Sequence, residues 1–347
     1  MTKLYRSIMP RRTSNTLGTA AAVAGVALAA SFFYVRHKTR QVERDHPPRG
    51  KFIEVDGVRL HYTERGEGPP LVLLHGNGVY ANDFDTSGLV ERAARNYRVI
   101  AFDRPGFGYS ERPRSTIWTP ENQARLLHRA LQEIGVEQPI VLGHSWGTMV
   151  ALEMGLDVPD DVRGLILLSG YYYPSFRLDV PLAAPPAIPL IGDLMRFTVT
   201  PLFGRLMWPL NVKAMFAPAK VAERFRQLPV WMMLRPKQVR ASAAEAALMV
   251  PAAMKLSKRY GELKVPVTIF AGTQDKIIDP GSNAERLHAE LPNSELHLQP
   301  GVGHMTHYAH PDEVMKAIDA MAAQVGTRPV LHNAKAEALA VASESGV

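Results

Sequence analysis

Residues 139–147, PIVLGHSWG, combine an apolar β-strand with a very tight turn, and a helix follows directly. A connection this tight leaves no room for side chains beside the turn, which explains glycine at positions 143 and 147. Ser145 is then held at the carboxyl edge of a sheet. It also lies near a helix N-terminus, whose partial positive charge stabilises developing negative charge. The stretch predicts Ser145 as a catalytic nucleophile.

Around this stretch, short apolar runs alternate with helical segments, a pattern typical of a mostly parallel sheet covered by helices. The two strands at 52–62 flank Asp56-Gly57, a two-residue hairpin signal. Residues 171–260 break the rhythm, because they are rich in Pro, Met and aromatic residues and carry no clear strand. We therefore predict an α/β fold with a doubly wound sheet and an inserted helical cap. The predicted core is 51–170 and 261–325, the cap is 171–260, and a tail follows at 326–347.

A serine needs a neighbouring base, and the base needs an orienting acid. For a serine on this kind of strand–turn–helix, the acid and then the histidine come later in the chain. His304 follows the last predicted strand, and Asp275 follows the strand before it. We predict both as members of a Ser-His-Asp triad, with Asp279 as the alternative acid. His307 and His310 are expected to be surface residues.

Acyl transfer also needs hydrogen-bond donors for the oxyanion. The backbone N–H of Trp146, directly after the serine, is one candidate. The loop His75-Gly76-Asn77-Gly78 follows another predicted strand and supplies the second, the N–H of Asn77.

At these residues the chain resembles the α/β-hydrolase family. The loop at 75–78, residues 103–110 (DRPGFGYS), the Gly-His-Ser-Trp-Gly turn, and the segments ending in Asp275 and His304 match the landmarks of that family in order and spacing. The resemblance covers residues 51–323. It is strongest to the capped branch, which holds epoxide hydrolases, haloalkane dehalogenases, carbon–carbon hydrolases and esterases. The comparison implies that Asp103 shapes the pocket wall and has no catalytic role.

One difference from this branch limits the chemistry that the resemblance implies. Epoxide hydrolases and haloalkane dehalogenases use an aspartate nucleophile, whereas this chain has Ser145, so both chemistries are disfavoured. No His/Asp/Glu cluster has metal-site spacing, and no Gly-rich phosphate loop is present. We therefore expect no metal and no cofactor.

The net charge of +7 belongs to the N-terminal arm. Residues 1–50 carry nine basic and two acidic side chains, while the remainder carries 31 of each. The globular part thus has no basic excess that would favour nucleic acid.

Residues 16–35 are uncharged and apolar, and basic residues flank them on both sides. Twenty residues at about 1.5 Å each match a bilayer core of about 30 Å. We predict that the arm at 1–45 anchors the protein in a membrane through one helix at 16–35. Ala27-Leu28-Ala29 leaves export after signal cleavage as the alternative, and a soluble or peripheral helix as a third.

Aromatic and methionine residues of the cap predict a pocket for an apolar substrate moiety. The leading hypothesis is a serine hydrolase that cleaves an apolar carboxylic ester, a lipid-like or membrane-dissolved ester being well suited to an anchored enzyme. A carbon–carbon bond hydrolase or a cofactor-free perhydrolase could use the same triad. A membrane-tethered binding protein without activity is the remaining alternative.

Overall fold

The computed structural model describes residues 12–176 and 179–326. Eight strands form one sheet in the order β1-β2-β4-β3-β5-β6-β7-β8. The strands are β1 Lys51–Val55, β2 Val58–Arg65, β3 Pro70–Leu74, β4 Arg98–Phe102, β5 Ile140–His144, β6 Gly164–Leu168, β7 Val267–Gly272 and β8 Ser294–Gln299. The pairs β1–β2 and β2–β4 are antiparallel, and all the other pairs are parallel. The predicted α/β fold class is confirmed.

Thirteen α-helices accompany the sheet in the described residues. They are α1 Arg12–Asp45, α2 Asn82–Ser87, α3 Leu89–Ala93, α4 Pro120–Glu133, α5 Trp146–Asp157, α6 Asp179–Ala183, α7 Ile191–Phe197, α8 Val199–Phe216, α9 Val230–Met233, α10 Pro236–Leu256, α11 Arg286–Glu290, α12 Thr306–Ala309 and α13 Pro311–Gly326. Short 3₁₀ turns lie at Pro159–Asp161, Pro185–Ala187, Phe225–Gln227 and Tyr260–Glu262, and one π turn at Gly281–Glu285 precedes α11. The predicted tail, apart from Gly326, lies outside the described residues.

The alternation of side chains along β3 shows how the sheet divides the core. Leu71 and Leu73 face a cluster that includes residues of α3 and α13, whereas Val72 and Leu74 face a cluster with residues of α4 and α5. Successive side chains of a strand point to opposite faces, so a strand covered on both sides is apolar throughout. The sheet is therefore buried between two helical layers, and its carboxyl edge is left to carry the loops.

The hairpin forms at the predicted turn, where Asp56 and Gly57 both have positive φ. The segment between β3 and β4 forms two short helices, α2 and α3, instead of one continuous helix. Gly88, with φ +82°, ends α2 and starts α3. A positive φ cannot continue an α-helix, so the backbone of this glycine divides the segment.

Between β6 and β7 the described residues form helices and loops and no strand, and we call this segment the cap. The end of helix α8 contacts the loop after β8, because the carbonyl of Met215 accepts a hydrogen bond from the backbone N–H of His304 at 2.9 Å. The long helix α10 lies over α5. The cap is thus held directly above the carboxyl edge of the sheet.

Helix α1 is longer than the predicted span 16–35, because it runs from Arg12 to Asp45. Its second half packs on α7, α8 and α9 of the cap, where Val35 and Val42 are buried and Glu43 bonds Arg235 at 2.9 Å. Within the described residues, only its portion Gly18–Asp45 is long and apolar enough to cross a membrane. Tertiary contacts with the cap therefore extend the helix beyond its apolar part.

Candidate active site

Ser145 occupies a strained turn between β5 and α5, with φ +51° and ψ −120°. A Cβ at Gly143 would lie 2.6 Å from the Gly147 carbonyl oxygen, and a Cβ at Gly147 would lie 2.2 Å from the Leu74 oxygen. Both glycines are thus required by neighbouring backbone, as the sequence predicts. Ser145 is partly exposed although its neighbours on both sides are buried. Such backbone strain persists where the surrounding structure fixes it, which is typical of functional sites.

Asp275 and His304 form a buried hydrogen-bonded pair. The His304 Nδ1 lies 2.7 Å from Asp275 Oδ2, and both side chains are almost inaccessible. The other carboxylate oxygen accepts the backbone N–H groups of Ile277 at 2.8 Å and Ile278 at 3.0 Å. Because a carboxylate only accepts, the proton of this pair belongs on Nδ1, and Nε2 is left as the basic nitrogen.

His304 lies beside the turn that carries Ser145. Its carbonyl oxygen is 3.2 Å from Nε2 of His144, the residue before Ser145, and the two imidazole centroids are 5.1 Å apart. A Cβ at Gly303 would lie 2.3 Å from the Ala217 oxygen, so the end of α8 lies directly against this loop. The structure thereby places His304 beside the turn that carries Ser145, although the two residues are far apart in the sequence.

The alternative acid has a different role. Asp279 is exposed, and its Oδ2 accepts the backbone N–H of Ser282 at 2.8 Å and its hydroxyl at 2.7 Å. This carboxylate stabilises the turn before α11. The geometry therefore favours Asp275 over Asp279 as the partner of His304.

The predicted oxyanion loop lies against the nucleophile. A Cβ at Gly76 would be 3.1 Å from the Ser145 Cβ, so only a glycine permits this approach without displacement. The Asn77 side chain donates to the Ser242 carbonyl of the cap at 3.1 Å. Among the described residues, the backbone N–H groups of Asn77 and of Trp146, the first residue of α5, form no hydrogen bond. Both predicted donors are thus available beside Ser145.

Arg104, which the sequence analysis did not single out, fixes this loop. Its guanidinium donates to the carbonyls of His75 at 2.7 Å and Gly76 at 3.1 Å. It also forms a two-pronged ion pair with Glu245 of α10, at 2.5 and 3.1 Å, and both side chains are fully buried. An arginine held by planar, paired bonds is rigid. The cap therefore contacts the predicted oxyanion loop through this buried ion pair as well as through the bond between Asn77 and Ser242.

His75 completes the same arrangement. Its Nε2 accepts the backbone N–H of Arg104 at 3.0 Å, so its Nδ1 must donate to the Gly76 carbonyl at 2.7 Å. Burial, together with the nearby Arg104 charge, lowers the pKa of His75 to about 3 and keeps the ring neutral. His75 and Arg104 thus both donate to the Gly76 carbonyl. These bonds orient the peptide group between Gly76 and Asn77, which carries the Asn77 N–H.

Asp103 organises the neighbouring loop, in keeping with the expected structural role. Its carboxylate bonds His61 Nδ1 at 2.7 Å and accepts the backbone N–H groups of Ala81 at 3.0 Å and Tyr109 at 2.8 Å. Burial raises the pKa of Asp103, but the bonds with His61 and Tyr109 outweigh it and leave the pKa below its ordinary value.

A second cluster, which residue spacing did not reveal, lies beneath Ser145. Asp83, His144 and His307 place one ligand atom each within 4.8 Å of one another. His307 Nε2 bonds one Asp83 oxygen at 3.0 Å, and the Tyr308 hydroxyl donates to the other at 2.9 Å. A metal ion would have to replace these bonds, so the grouping fits a hydrogen-bonded cluster better than a metal centre.

The expectation that His307 lies on the surface is wrong, because its side chain is fully buried. The single turn α12 directs it inward onto Asp83, whereas His310 beyond that turn is partly exposed. The pKa of His144 falls well below its ordinary value through burial and the neighbouring His307 and His304 rings, which keeps His144 neutral next to Ser145.

Comparison with known proteins identifies the family to which this fold belongs. The family model of the alpha/beta hydrolase fold matches residues 69–311. Haloalkane dehalogenase 2 of Mycobacterium tuberculosis is 25% identical over 282 residues, covering 79% of this chain and 94% of that protein. The 2-hydroxy-6-oxo-6-phenylhexa-2,4-dienoate hydrolase of Burkholderia cepacia is 26% identical over 271 residues, covering 76% and 92%.

Among solved structures, a membrane phospholipase A described as a bacterial virulence factor shares the fold. It superposes with a TM-score of 0.62 at 22% identity and covers 92% of this chain and 100% of its own. The match to the family model, the eight-stranded sheet and the hydrolases among the relatives all indicate the same family. The chain therefore belongs to the α/β-hydrolase family and is a hydrolase.

Proposed function

We propose that this hydrolase cleaves an apolar carboxylic ester through an acyl-enzyme intermediate, with Ser145, His304 and Asp275 as its triad. The observation that carries the proposal is the buried Asp275–His304 pair beside the strained Ser145 turn. An acid, a base and a nucleophile in that arrangement are what activation of a serine hydroxyl requires.

In the proposed mechanism the Ser145 hydroxyl attacks the ester carbonyl while His304 Nε2 takes its proton. Asp275 holds the imidazole orientation and stabilises the imidazolium that forms. The N–H groups of Asn77 and Trp146 bind the oxyanion, each such donor being worth roughly 3–4 kcal/mol. His304 then protonates the leaving alcohol, and a water molecule activated by the same residue releases the acid from Ser145.

Dehalogenation, the activity named for the mycobacterial relative, does not suit this nucleophile. Displacement of halide by a carboxylate gives an alkyl ester, which water can hydrolyse. Displacement by the Ser145 oxygen would give an ether, which the same triad has no means to cleave. The residue at the turn therefore favours acyl chemistry.

Carbon–carbon bond hydrolysis is the second candidate, because the Burkholderia relative is named for a dienoate substrate of that kind. The same triad and oxyanion donors would serve, since the step that differs is protonation of a carbon leaving group. A panel of p-nitrophenyl esters of increasing chain length and a vinylogous diketone separates the two. Turnover of the diketone at a kcat/KM well above that of every ester would replace the ester proposal.

We further propose that α1 anchors the protein in a membrane, with removal of the arm as a signal peptide as the alternative. The support is an apolar helix portion that the rest of the chain leaves almost uncovered. Extraction of membranes with alkaline carbonate tests this. The full-length chain should remain in the pellet, and its release into the supernatant would contradict the anchor.

A fluorophosphonate probe tests the serine mechanism. Wild type should be labelled and Ser145→Ala should not, while Ser257→Ala, at the end of α10, should be labelled like wild type. Absence of labelling in wild type, or labelling that survives in Ser145→Ala, would refute the proposed role of Ser145.

A further inference from the structure

Helix α8 carries an apolar stripe that faces away from the protein. Val199, Phe203, Leu206 and Leu210 follow the spacing of one helix face and are 45%, 63%, 73% and 60% exposed. The opposite side holds the buried Pro201, Val212 and Phe216. A helix of a water-soluble protein turns such a stripe toward the core, so this one suits an apolar neighbour outside the chain.

The stripe continues on the neighbouring part of the cap. Leu190, Ile191 and Leu194 are also mostly exposed, and α7 packs against both α8 and α1. We call these three residues and the four of α8 the cap face. An apolar surface assembled from two helices is more than the scattered exposed residue that every protein shows.

The cap face is continuous with the apolar part of α1. The Phe32 ring lies 6.0 Å from Phe197 at the end of α7, and Val23, Val26 and Phe33 are exposed further along α1. Where α1 becomes polar, a surface pocket is lined by Arg36, His37, Arg40 and Arg44 next to Phe33. Basic side chains at the end of an apolar span fit the phosphate groups of a lipid bilayer.

We propose that the cap face is itself a membrane-binding surface, inserted at the boundary between headgroups and hydrocarbon on the side where α1 enters the bilayer. This rests on the proposed anchoring by α1. A bilayer is favoured over a second copy of the chain because one lipid phase covers both the free apolar portion of α1 and the cap face. Insertion of apolar side chains gains free energy in proportion to their buried area.

This placement gives α8 a direct link to the active site. Its first twelve residues carry the exposed stripe, and its Met215 carbonyl accepts the His304 N–H. The two ends of one helix thus contact the lipid and the proposed base. The substrate class that follows is an ester dissolved in the bilayer, which would enter beneath the cap without crossing water.

The absence of cysteine from the chain allows a direct test. Leu206→Cys, carrying an environment-sensitive fluorophore, is placed in the full-length protein and reconstituted into phosphatidylcholine–phosphatidylglycerol vesicles. Lipids with brominated acyl chains should quench it, as they quench the same label at Val26→Cys. They should spare the label at Glu137→Cys, an exposed residue at the amino edge of the sheet.

The quenching results distinguish the cap-face proposal from the anchor proposal without a measurement of enzyme activity. Quenching at position 26 but not at 206 would overturn the cap-face proposal and leave the anchor intact, and disulfide-linked dimers of unlabelled Leu206→Cys in that case would identify a second copy as the occupant. Absence of quenching at both positions would overturn the anchor as well. The fluorophosphonate experiment tests the serine mechanism separately, and the substrate panel tests the ester chemistry.

A paired activity measurement gives a second test. Phe203→Asp with Leu206→Asp should lower hydrolysis of a long-chain ester in vesicles at least about tenfold, while hydrolysis of a soluble short-chain ester stays within twofold of wild type. Both residues are exposed, so folding should tolerate the change. Equal loss on both substrates, or no loss on vesicles, would contradict the proposal, and Glu137→Ala serves as the control.

Discussion

The central sheet and the surface formed by α1 and the cap face place the same kinds of side chain in opposite surroundings. Val72 and Leu142 are fully buried between helices, whereas Leu206 and Phe203 remain mostly exposed. At about 25 cal/mol per Å² of apolar surface, each exposed residue of that size forgoes roughly 1.5–3 kcal/mol if water surrounds it. The contrast agrees with the proposal that α1 and the cap face contact lipid, whereas the sheet is packed against helices.

The proposed active site lies between these regions and depends on both. Ser145, Asp275 and His304 come from the carboxyl edge of the sheet, and Met215 of the cap accepts the His304 N–H. Glu245 and Ser242 of the cap bond the neighbouring Arg104 and Asn77. A change confined to the sheet edge should abolish chemistry and leave the fold intact. A change at the contact between cap and sheet should act on stability first.

The largest effect is expected at the triad. Asp275→Asn should lower kcat for a soluble ester on the order of 10⁴-fold, because an amide can donate as well as accept and no longer fixes the proton on His304 Nδ1. Asp279→Asn, four residues away and exposed, should stay within twofold. Steady-state kinetics measures both, and a loss below tenfold in Asp275→Asn would show that another group orients the imidazole.

The buried ion pair between cap and oxyanion loop should give the next largest effect. Glu245→Gln leaves the fully buried Arg104 without its counterion and should lower the free energy of unfolding by about 3–5 kcal/mol. Glu223→Gln, which breaks an exposed pair with Arg226 in the same cap, should change it by less than about 1 kcal/mol. Denaturant unfolding measures the loss of unfolding free energy in each variant. Equal losses would show that the buried pair stabilises the fold no more than the exposed pair does.

A smaller effect, dependent on pH, is expected at Glu153 in α5. Burial and the nearby Asp157 raise the pKa of Glu153 to about 7, and the Arg259 partner offsets only part of this. Because the folded-state pKa exceeds the unfolded one, the stability it contributes is complete below about pH 4.5 and is lost as the pH rises through 7.

The variant Glu153→Gln removes this titration. The free energy of unfolding of wild type should therefore fall relative to the variant by up to about 3 kcal/mol between pH 4.5 and 8. Thermal unfolding across this range measures the difference, with the exposed Glu133→Gln as control. Parallel curves for wild type and Glu153→Gln would exclude the shift.

The smallest effect is expected where α1 meets the cap. Glu43 is 40% exposed and pairs with the buried Arg235. Water screens the charge of Glu43, and Arg235 keeps its bonds to the carbonyls of Met232 and Gly108 when Glu43 changes. Glu43→Gln should therefore lower the free energy of unfolding by only about 1 kcal/mol. Asp45→Asn, at the end of the same helix, is the matched control. A loss of several kcal/mol would mean that α1 is as integral to the fold as the sheet is.

The core could be predicted because its strands and its turn at Ser145 depend on residues that are close together in the sequence. Strands buried on both faces must be apolar throughout, and the turn at Ser145 needs glycine at 143 and 147, so both leave a readable pattern. Asp275 and His304 could be named because the ends of adjacent parallel strands meet at one edge. The hydrogen bond between them agrees with that reasoning.

The features that sequence reasoning missed depend on partners distant in the chain. Glu245 is separated from Arg104 by 141 positions, and nothing in its own neighbourhood marks it as buried. His307 was misread as exposed because its partner Asp83 is 224 residues away. A charged or polar residue is buried only if a partner meets it, and spacing along the chain does not record that meeting.

The sequence by itself determined the fold class, the position of the turn at Ser145 and the apolar character of residues 16–35, since each follows from local spacing and composition. Only the tertiary structure decided that Arg104 and Glu245 join the cap to the oxyanion loop, that α1 docks on the cap, and that the α8 stripe faces outward. An apolar stripe has the same spacing whether it faces a core or a membrane. Which side it faces is set by the elements that pack against the rest of the helix.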